Sequence, residues 1–312
     1  MIKFLRYQGR LNVVCSVAIF VTLLFFYGLY RAFAEGHGAT GFVWLAKIWL
    51  HPNNELQHAW LIPLLSGFLV FRAVREKNAR TIRPSNLGLG IVALGLLFYL
   101  ASVRVLQPRL MIGSLPIIGW GTVLYLYGWS WAFRLSIPIF LICLAVPVPG
   151  LLQATNQLQV YATGGAHGIL GLVGIPTNVS GNFLRAPDDS WGFDIAEGCS
   201  GIRSLMALSL IAAVYADLTL KALWQKGVLF ALSIPLAVVA NILRVSSIVV
   251  VAKFVDAEIA GTIYHDFSGF IFFPIGLLGL VLCSKLLSKM SRRGSAGKTV
   301  VRHIGGNNET RL

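Results

Sequence analysis

Apolar runs long enough to cross a bilayer recur along this chain, at about 13–33, 57–73, 87–106, 110–128, 134–152, 200–217, 226–251 and 268–288. A bilayer core about 30 Å thick takes roughly 20 helical residues. Lipid offers no partner to a backbone N–H or C=O, so segments of this kind satisfy their own peptide groups as helices. The spacing predicts an all-α, polytopic helical bundle of about eight transmembrane helices. Composition agrees: 56% of residues are hydrophobic and 12% charged, against about 25% charged in ordinary soluble domains, and the mean hydropathy is +0.73. The first run is too long for a signal-peptide core and no small-residue cleavage site follows it, so it reads as a retained anchor. Pro116 and Pro138 mark kinks or re-entrant turns near the fourth and fifth runs. The Gly-rich stretch 157–175, with His167 inside it, admits two readings, an interfacial helix or a ninth partial span. The domain expected is a single transmembrane domain over 1–290, followed by a basic, disordered tail over 291–312.

The formal net charge of +14 does not point to nucleic acid, because the cations cluster in short segments between apolar runs. With eight spans, one side of the membrane receives Lys3, Arg6 and Arg10, the loop from Arg72 to Arg83, Arg134, Lys221, Lys226 and the basic tail. The positive-inside rule makes that side, and both termini, cytoplasmic. The starts of the second and sixth spans, the outer part of the seventh and the approach to the eighth then face outward. Between residues 176 and 198, Asn178–Leu184 and Trp191–Ile195 alternate around Pro187-Asp188-Asp189-Ser190. This pattern predicts a small extracytoplasmic β-hairpin over the outer ends of the helices.

Five residues stand out of place against this background. Cys199 opens the sixth apolar run, and Arg203 follows it by four residues, so thiol and guanidinium share a helical face. A helix N-terminus and a nearby Arg both favour thiolate. Arg244 lies inside the seventh run, where a charge costs about 2.5–3.5 kcal/mol on insertion scales and faces an interior cavity; Asn241, Ser246 and Ser247 are polar neighbours. His265, followed by Asp266, stands at the mouth of the eighth run, and His58 opens the second. The other cysteines, Cys15, Cys143 and Cys283, lie in apolar runs, and the four show no metal-ligand spacing, so no metal or cofactor is expected.

The ordered set Ala196-Glu197-Gly198-Cys199-Ser200-Gly201-Ile202-Arg203-Ser204-Leu205, then Ala240-Asn241-Ile242-Leu243-Arg244, then His265, resembles the exosortase/archaeosortase family, with its Cys-Ser-Gly motif, Asn-x-x-Arg motif and downstream His. Upstream, His58-Ala59-Trp60-Leu61-Ile62-Pro63 is similar to the family's His-Gly-x-Leu-x-Pro element, with Ala59 where Gly is common, and Val146-Pro147-Val148-Pro149 is similar to its Pro-x-Pro element. Glu197-Gly198 departs from the residues that precede the Cys in many members. The resemblance implies a cysteine peptidase or transpeptidase of the cell (inner) membrane. Its substrates would be membrane-anchored exported proteins carrying a C-terminal signal: a short motif such as Pro-Glu-Pro, a transmembrane helix and a basic cluster. A surface glycan or lipid would be the acceptor if the enzyme transfers rather than hydrolyses. Cys199 would be the nucleophile, His265 the proton shuttle and Arg244 the stabiliser of the oxyanion, with Arg203, Asn241, His58, Ser200 and Gly201 binding substrate or supporting the site. Two other classes fit parts of the pattern. A transporter would use Arg203 and Arg244 to bind an anionic solute, but the chain lacks the matched halves typical of transporters. A surface-polysaccharide transferase would use outer-face His and Arg and have no need of Cys199.

Overall fold

The computed structural model describes residues 2–33, 40–51, 56–76, 82–146, 151–195 and 202–304. The chain divides into two compact units, Met1–Pro149 and Gly150–Leu312.

In the first unit, α1 (Ile2–Leu24) continues through a π-helical turn at Phe25–Leu29. It is followed by α2 (Gly41–Leu50), a 3-10 turn at Gln57–Trp60, α3 (Leu61–Arg75), α4 (Leu87–Arg104) and α5 (Pro108–Tyr127). Two short helices, α6 (Trp129–Arg134) and α7 (Ser136–Phe140), lead into a second 3-10 turn at Leu141–Ala145. The fifth expected span is therefore not one continuous helix. Pro138 supplies no N–H and its ring displaces the preceding turn, and the chain breaks into three short pieces around it. Pro116, by contrast, is carried inside an unbroken α5. The pair α4/α5 is the tightest packing in the unit. A Cβ placed on Gly88 would lie 2.4 Å from the Tyr125 backbone nitrogen, and one on Gly121 2.9 Å from that of Val92. Small residues let two helix backbones approach where lipid supplies no hydrophobic drive for association. Polar ties add to this: Asn12 Nδ2 donates to the Leu126 carbonyl at 2.9 Å, and the Tyr27 and Ser114 hydroxyls meet at 2.5 Å.

The second unit begins with α8 (Leu151–Leu172), a full helix where the Gly-rich stretch had two readings. Next come β1 (Asn178–Ser180), β2 (Phe183–Arg185) and β3 (Gly192–Asp194), then α9 (Ile202–Thr219), α10 (Leu223–Phe254) and α11 (Ala257–Ile259). A π-helical turn at Ala260–Tyr264 opens α12 (His265–Ile304). The expected hairpin is present as β2–β3, but the sheet has a third strand. The run Asn178–Leu184 folds back on itself at Gly181-Asn182, and Gly181, with φ +62°, stands at the first central position of a two-residue turn that favours glycine there. At the β2–β3 turn, the Asp188 carboxylate accepts from the Ser190 amide and hydroxyl at 3.2 and 2.7 Å, and these bonds hold its carboxyl below the usual carboxylate range. Leu184 and Ile195 turn inward to join Ala166, Leu170, Val245, Ile248 and Val249 in one core cluster, so the sheet is seated on α8 and α10.

Helices α9, α10 and α12 share a second cluster that includes Leu208, Ala212, Leu229, Ala237 and Leu280. One end of this bundle is tied by polar groups. Lys226 Nζ reaches Asp217 at 2.5 Å, Gln225 Nε2 donates to the Leu287 carbonyl at 2.7 Å, and the Thr219 and Ser284 hydroxyls meet at 3.1 Å.

Among the described residues, five helices are long and apolar enough to cross a membrane: Leu11–Leu29, Leu87–Arg104, Pro108–Tyr127, Leu223–Phe254 and Phe267–Met290. The other expected spans fall to α3, which has 15 residues, to the broken segment at 129–145, and to α9, which carries Arg203 and Asp217. Large apolar side chains line the outsides of these helices, with Val14, Phe20, Leu64 and Phe71 all more than half exposed, as a lipid-facing surface requires. The helix α12 runs through Ile304, so it extends into the first part of the stretch read as a disordered tail.

The α4/α5 seam makes a testable point. Gly88→Ala forces a methyl into the α5 backbone and should destabilise the protein by about 1–3 kcal/mol, whereas a Cβ on Gly90 meets nothing within 4 Å. Thermal unfolding in detergent should show a lowered midpoint for Gly88→Ala and an unchanged or raised one for Gly90→Ala; equal midpoints would mean the seam is looser than described.

Candidate active site

An arginine inside an apolar helix has to be given partners, and α12 provides them. Arg244 Nε donates to the Ser268 hydroxyl at 2.8 Å, and Nη2 donates to the His265 carbonyl at 3.1 Å. Ser268 in turn donates its own hydroxyl proton to the His265 carbonyl at 2.8 Å. Ser268 is fully buried. It sits three residues after His265, on the same face of α12, so one turn of that helix presents both acceptors to the guanidinium. The planar fork of Arg suits two acceptors at fixed spacing, and a Lys ammonium does not reproduce that. The Asn-x-x-Arg motif and the downstream His are thus joined by hydrogen bonds across the α10/α12 contact.

Two spaces adjoin this cluster. Arg244 and Asn241, one turn apart on α10, line a niche of about 10 Å³ with Ser204 of α9 and Phe272 and Phe273 of α12, a volume near the minimum for one water. His265 lines a larger cavity of about 240 Å³. Its walls are residues 192–195 at β3, Val245, Ile248 and Val249 of α10, and Gly261 in the π-helical turn. Trp191 and Phe193 stack at 5.8 Å beside it.

The sequence-predicted residues are placed as follows. Arg244, Asn241 and His265 come together. Arg203 lies in the first turn of α9 with its side chain exposed, next to Ser204 on the niche wall. Cys199, Ser200 and Gly201 lie outside the described residues, as does the i,i+4 relation of Cys199 to Arg203; the described chain stops at Ile195 on the large cavity and resumes at Ile202. His58 is half-buried in the 3-10 turn of the first unit, beside a fully buried Ala59. Cys15, Cys143 and Cys283 are reduced and lie in helical segments. Among the described residues no group of three His, Cys, Asp or Glu side chains is arranged to hold a metal. Sequence reasoning missed Ser268, whose i+3 spacing from His265 was its only signal, and Phe193, which alternation marked only as a strand residue.

The fold and this cluster define a multi-pass helical membrane protein that keeps a hydrogen-bonded arginine within its second unit. The chain belongs to the transmembrane exosortase family (Exosortase_EpsH), whose family model matches residues 44–282. That span takes in every motif from His58 to His265. No curated protein and no solved structure matches the chain.

Removing the Ser268 acceptor isolates its contribution. Hydrogen bonds to charged groups are worth about 1.5–3 kcal/mol, so Ser268→Ala should lower stability by about that amount while Ser268→Thr, which keeps the hydroxyl, retains most of it. Denaturation of the purified variants in lipid nanodiscs reads the difference; equal losses for Ala and Thr would point to packing rather than to the Arg244 bond.

Proposed function

We propose that this protein is a membrane-embedded cysteine peptidase or transpeptidase. It recognises a C-terminal tripartite sorting signal of the Pro-Glu-Pro type on exported, membrane-anchored proteins and cleaves near that motif at the outer face of the cell membrane. The observation that carries this reading is the Arg244–Ser268–His265 clamp beside a cavity whose lining includes Ile195, four residues before Cys199 in the chain. Ser204, five residues after Cys199, lies on the Arg244 niche. The described residues on either side of 196–201 thus border the Arg244 niche and the His265 cavity, which supports this reading.

The chemistry follows in two stages. Cys199 thiolate adds to the scissile carbonyl carbon, and the carbonyl electron pair moves onto oxygen, where Arg244 stabilises the oxyanion. The oxyanion collapses, the C–N bond breaks, and His265 passes a proton to the departing amine, leaving a thioester on Cys199. Water, or an amine or hydroxyl of a surface acceptor, then attacks the thioester, with His265 taking its proton and the thiolate leaving. Arg203 supports the thiolate form of Cys199 or binds a carboxylate of the signal.

The distribution of Lys and Arg supports both termini on the cytoplasmic side. Eighteen residues of α10 separate Lys226 from Arg244, about 27 Å at 1.5 Å per residue. The Asp217–Lys226 tie and the Arg244 cluster are thus about one hydrocarbon thickness apart, which suits a cytoplasmic boundary at one and an outer boundary at the other.

Cys199→Ala and Cys199→Ser should each leave the substrate uncleaved in the membrane while the variant protein accumulates normally, because a hydroxyl lacks the thiolate population of the Cys. Full processing by Cys199→Ala would eliminate the cysteine mechanism. Arg244→Lys should lower turnover about 10²–10³-fold with substrate association retained, as read by cleavage normalised to folded enzyme. Normal cleavage per folded molecule would remove Arg244 from the oxyanion role.

Orientation has its own check. Cysteines introduced as Asp188→Cys and Glu258→Cys should react with a membrane-impermeant thiol reagent on intact spheroplasts, and Ala222→Cys should not. Labelling at 222 with silence at 188 would invert the topology.

A further inference from the structure

The cavity beside His265 has a construction that the covalent chemistry does not use. Four successive residues, 192–195, form one wall. Side chains alternate across a strand, so four in a row lining one space fits a cavity that reaches round from the strand's face to its edge. β3 is the outer strand of the order β1-β2-β3. The bonds from Ala186 N–H to the Trp191 carbonyl (2.9 Å) and from Ile195 N–H to the Asn182 carbonyl (3.0 Å) make 191, 193 and 195 the residues that pair with β2. The peptide N–H and C=O of Gly192 then turn to the opposite edge, the edge that borders the cavity.

The facing wall is apolar. Val245, Ile248 and Val249 are all at least 97% buried, and the Phe193 ring lies opposite Gly261, where an added Cβ would stand 3.3 Å from it. His265 lies on the same lining as this apolar wall.

We propose that this cavity is a specificity pocket. The substrate polypeptide lies extended along the outer edge of β3 and forms main-chain hydrogen bonds with Gly192. It places one uncharged, apolar side chain between Phe193 and the Val245/Val249 wall. Backbone pairing to a sheet edge supplies sequence-independent affinity, and the pocket for an alternate side chain supplies selection. An acidic side chain there loses its hydration against an aliphatic wall and meets the Asp194 carboxylate on the same lining. Seated this way, the residue beside the scissile bond is next to His265. The inference rests on the cysteine-enzyme reading, and deepens it by naming the residues that select the substrate.

The test uses the full-length protein in proteoliposomes with membrane-anchored reporters randomised at the residues flanking the cleaved bond. Wild-type protein should cleave reporters with an apolar residue at one flanking position at least tenfold faster than those with Asp or Glu there. Gly261→Val, which narrows the pocket, should shift the ratio of small (Ala) to large (Leu, Phe) residues at that position at least tenfold toward small. Val249→Ala, which widens it, should shift the ratio toward large; this second variant keeps the test decisive if Gly261→Val fails to fold. Replacing the substrate amide opposite Gly192 by an ester should slow cleavage about tenfold, and p-benzoylphenylalanine at 193 should crosslink to residues flanking the cleaved bond. Unchanged preference in both pocket variants, with cleavage still abolished by Cys199→Ala, would overturn the pocket and leave the enzyme reading standing. Undiminished cleavage by Cys199→Ala would instead remove the enzyme reading on which the pocket rests.

Discussion

A guanidinium inside an apolar helix is the constraint around which the second unit is arranged. Left alone in hydrocarbon, Arg244 would oppose insertion of its own helix. Its Nε and Nη2 are instead satisfied by the Ser268 hydroxyl and the His265 carbonyl of α12, which ties the α10/α12 contact to one register. A shift of α12 by one residue relative to α10 would rotate both acceptors about 100° away from the guanidinium. The charge thus has two consequences at once: it specifies how two helices dock, and it places His265 beside a cavity.

The same bundle solves the problem differently at its other end. There Asp217 and Lys226 neutralise one another and Gln225 reaches the Leu287 carbonyl. Between the two ends the helices meet through Leu, Ala and the Ser209–Ser233 hydroxyl contact. Apolar packing cannot drive association when lipid is equally apolar, so specific polar contacts at the two ends, with small residues between them, set the geometry. In the first unit the corresponding device is steric, with glycines on α4 and α5 allowing backbone approach.

The small sheet matters through its edge rather than its area. Leu184 and Ile195 anchor it to the core formed by α8 and α10, and this anchoring leaves the outer side of β3 along a cavity rather than on a flat surface. An exposed strand edge is a ready template for another chain. Here the edge is short, walled by α10 and set beside His265, which restricts it to a single extended segment entering a confined space.

Much of this was legible in the amino-acid order. Long apolar runs dictate helices because lipid leaves the backbone no other partner, and the periodic alternation around Pro187-Asp188-Asp189-Ser190 dictates the β2–β3 hairpin. The ordered motifs around Cys199, Arg244 and His265 led to the family on their own. What the order of residues did not reveal depends on contacts between distant segments. A proline can end a helix or ride inside it according to its neighbours, so Pro116 was accommodated while the region of Pro138 broke into short pieces. Gly181-Asn182 turned one apparent strand into two, because a tight turn and an extended run share the same local composition. Ser268 is an unremarked serine in sequence, and becomes the partner of Arg244 only when α12 packs on α10. Local periodicity therefore determined which segments are helices and which residues are chemically unusual, whereas the docking of those helices decided which of the unusual residues meet, since hydrogen bonds and cavities arise between segments that the sequence keeps apart.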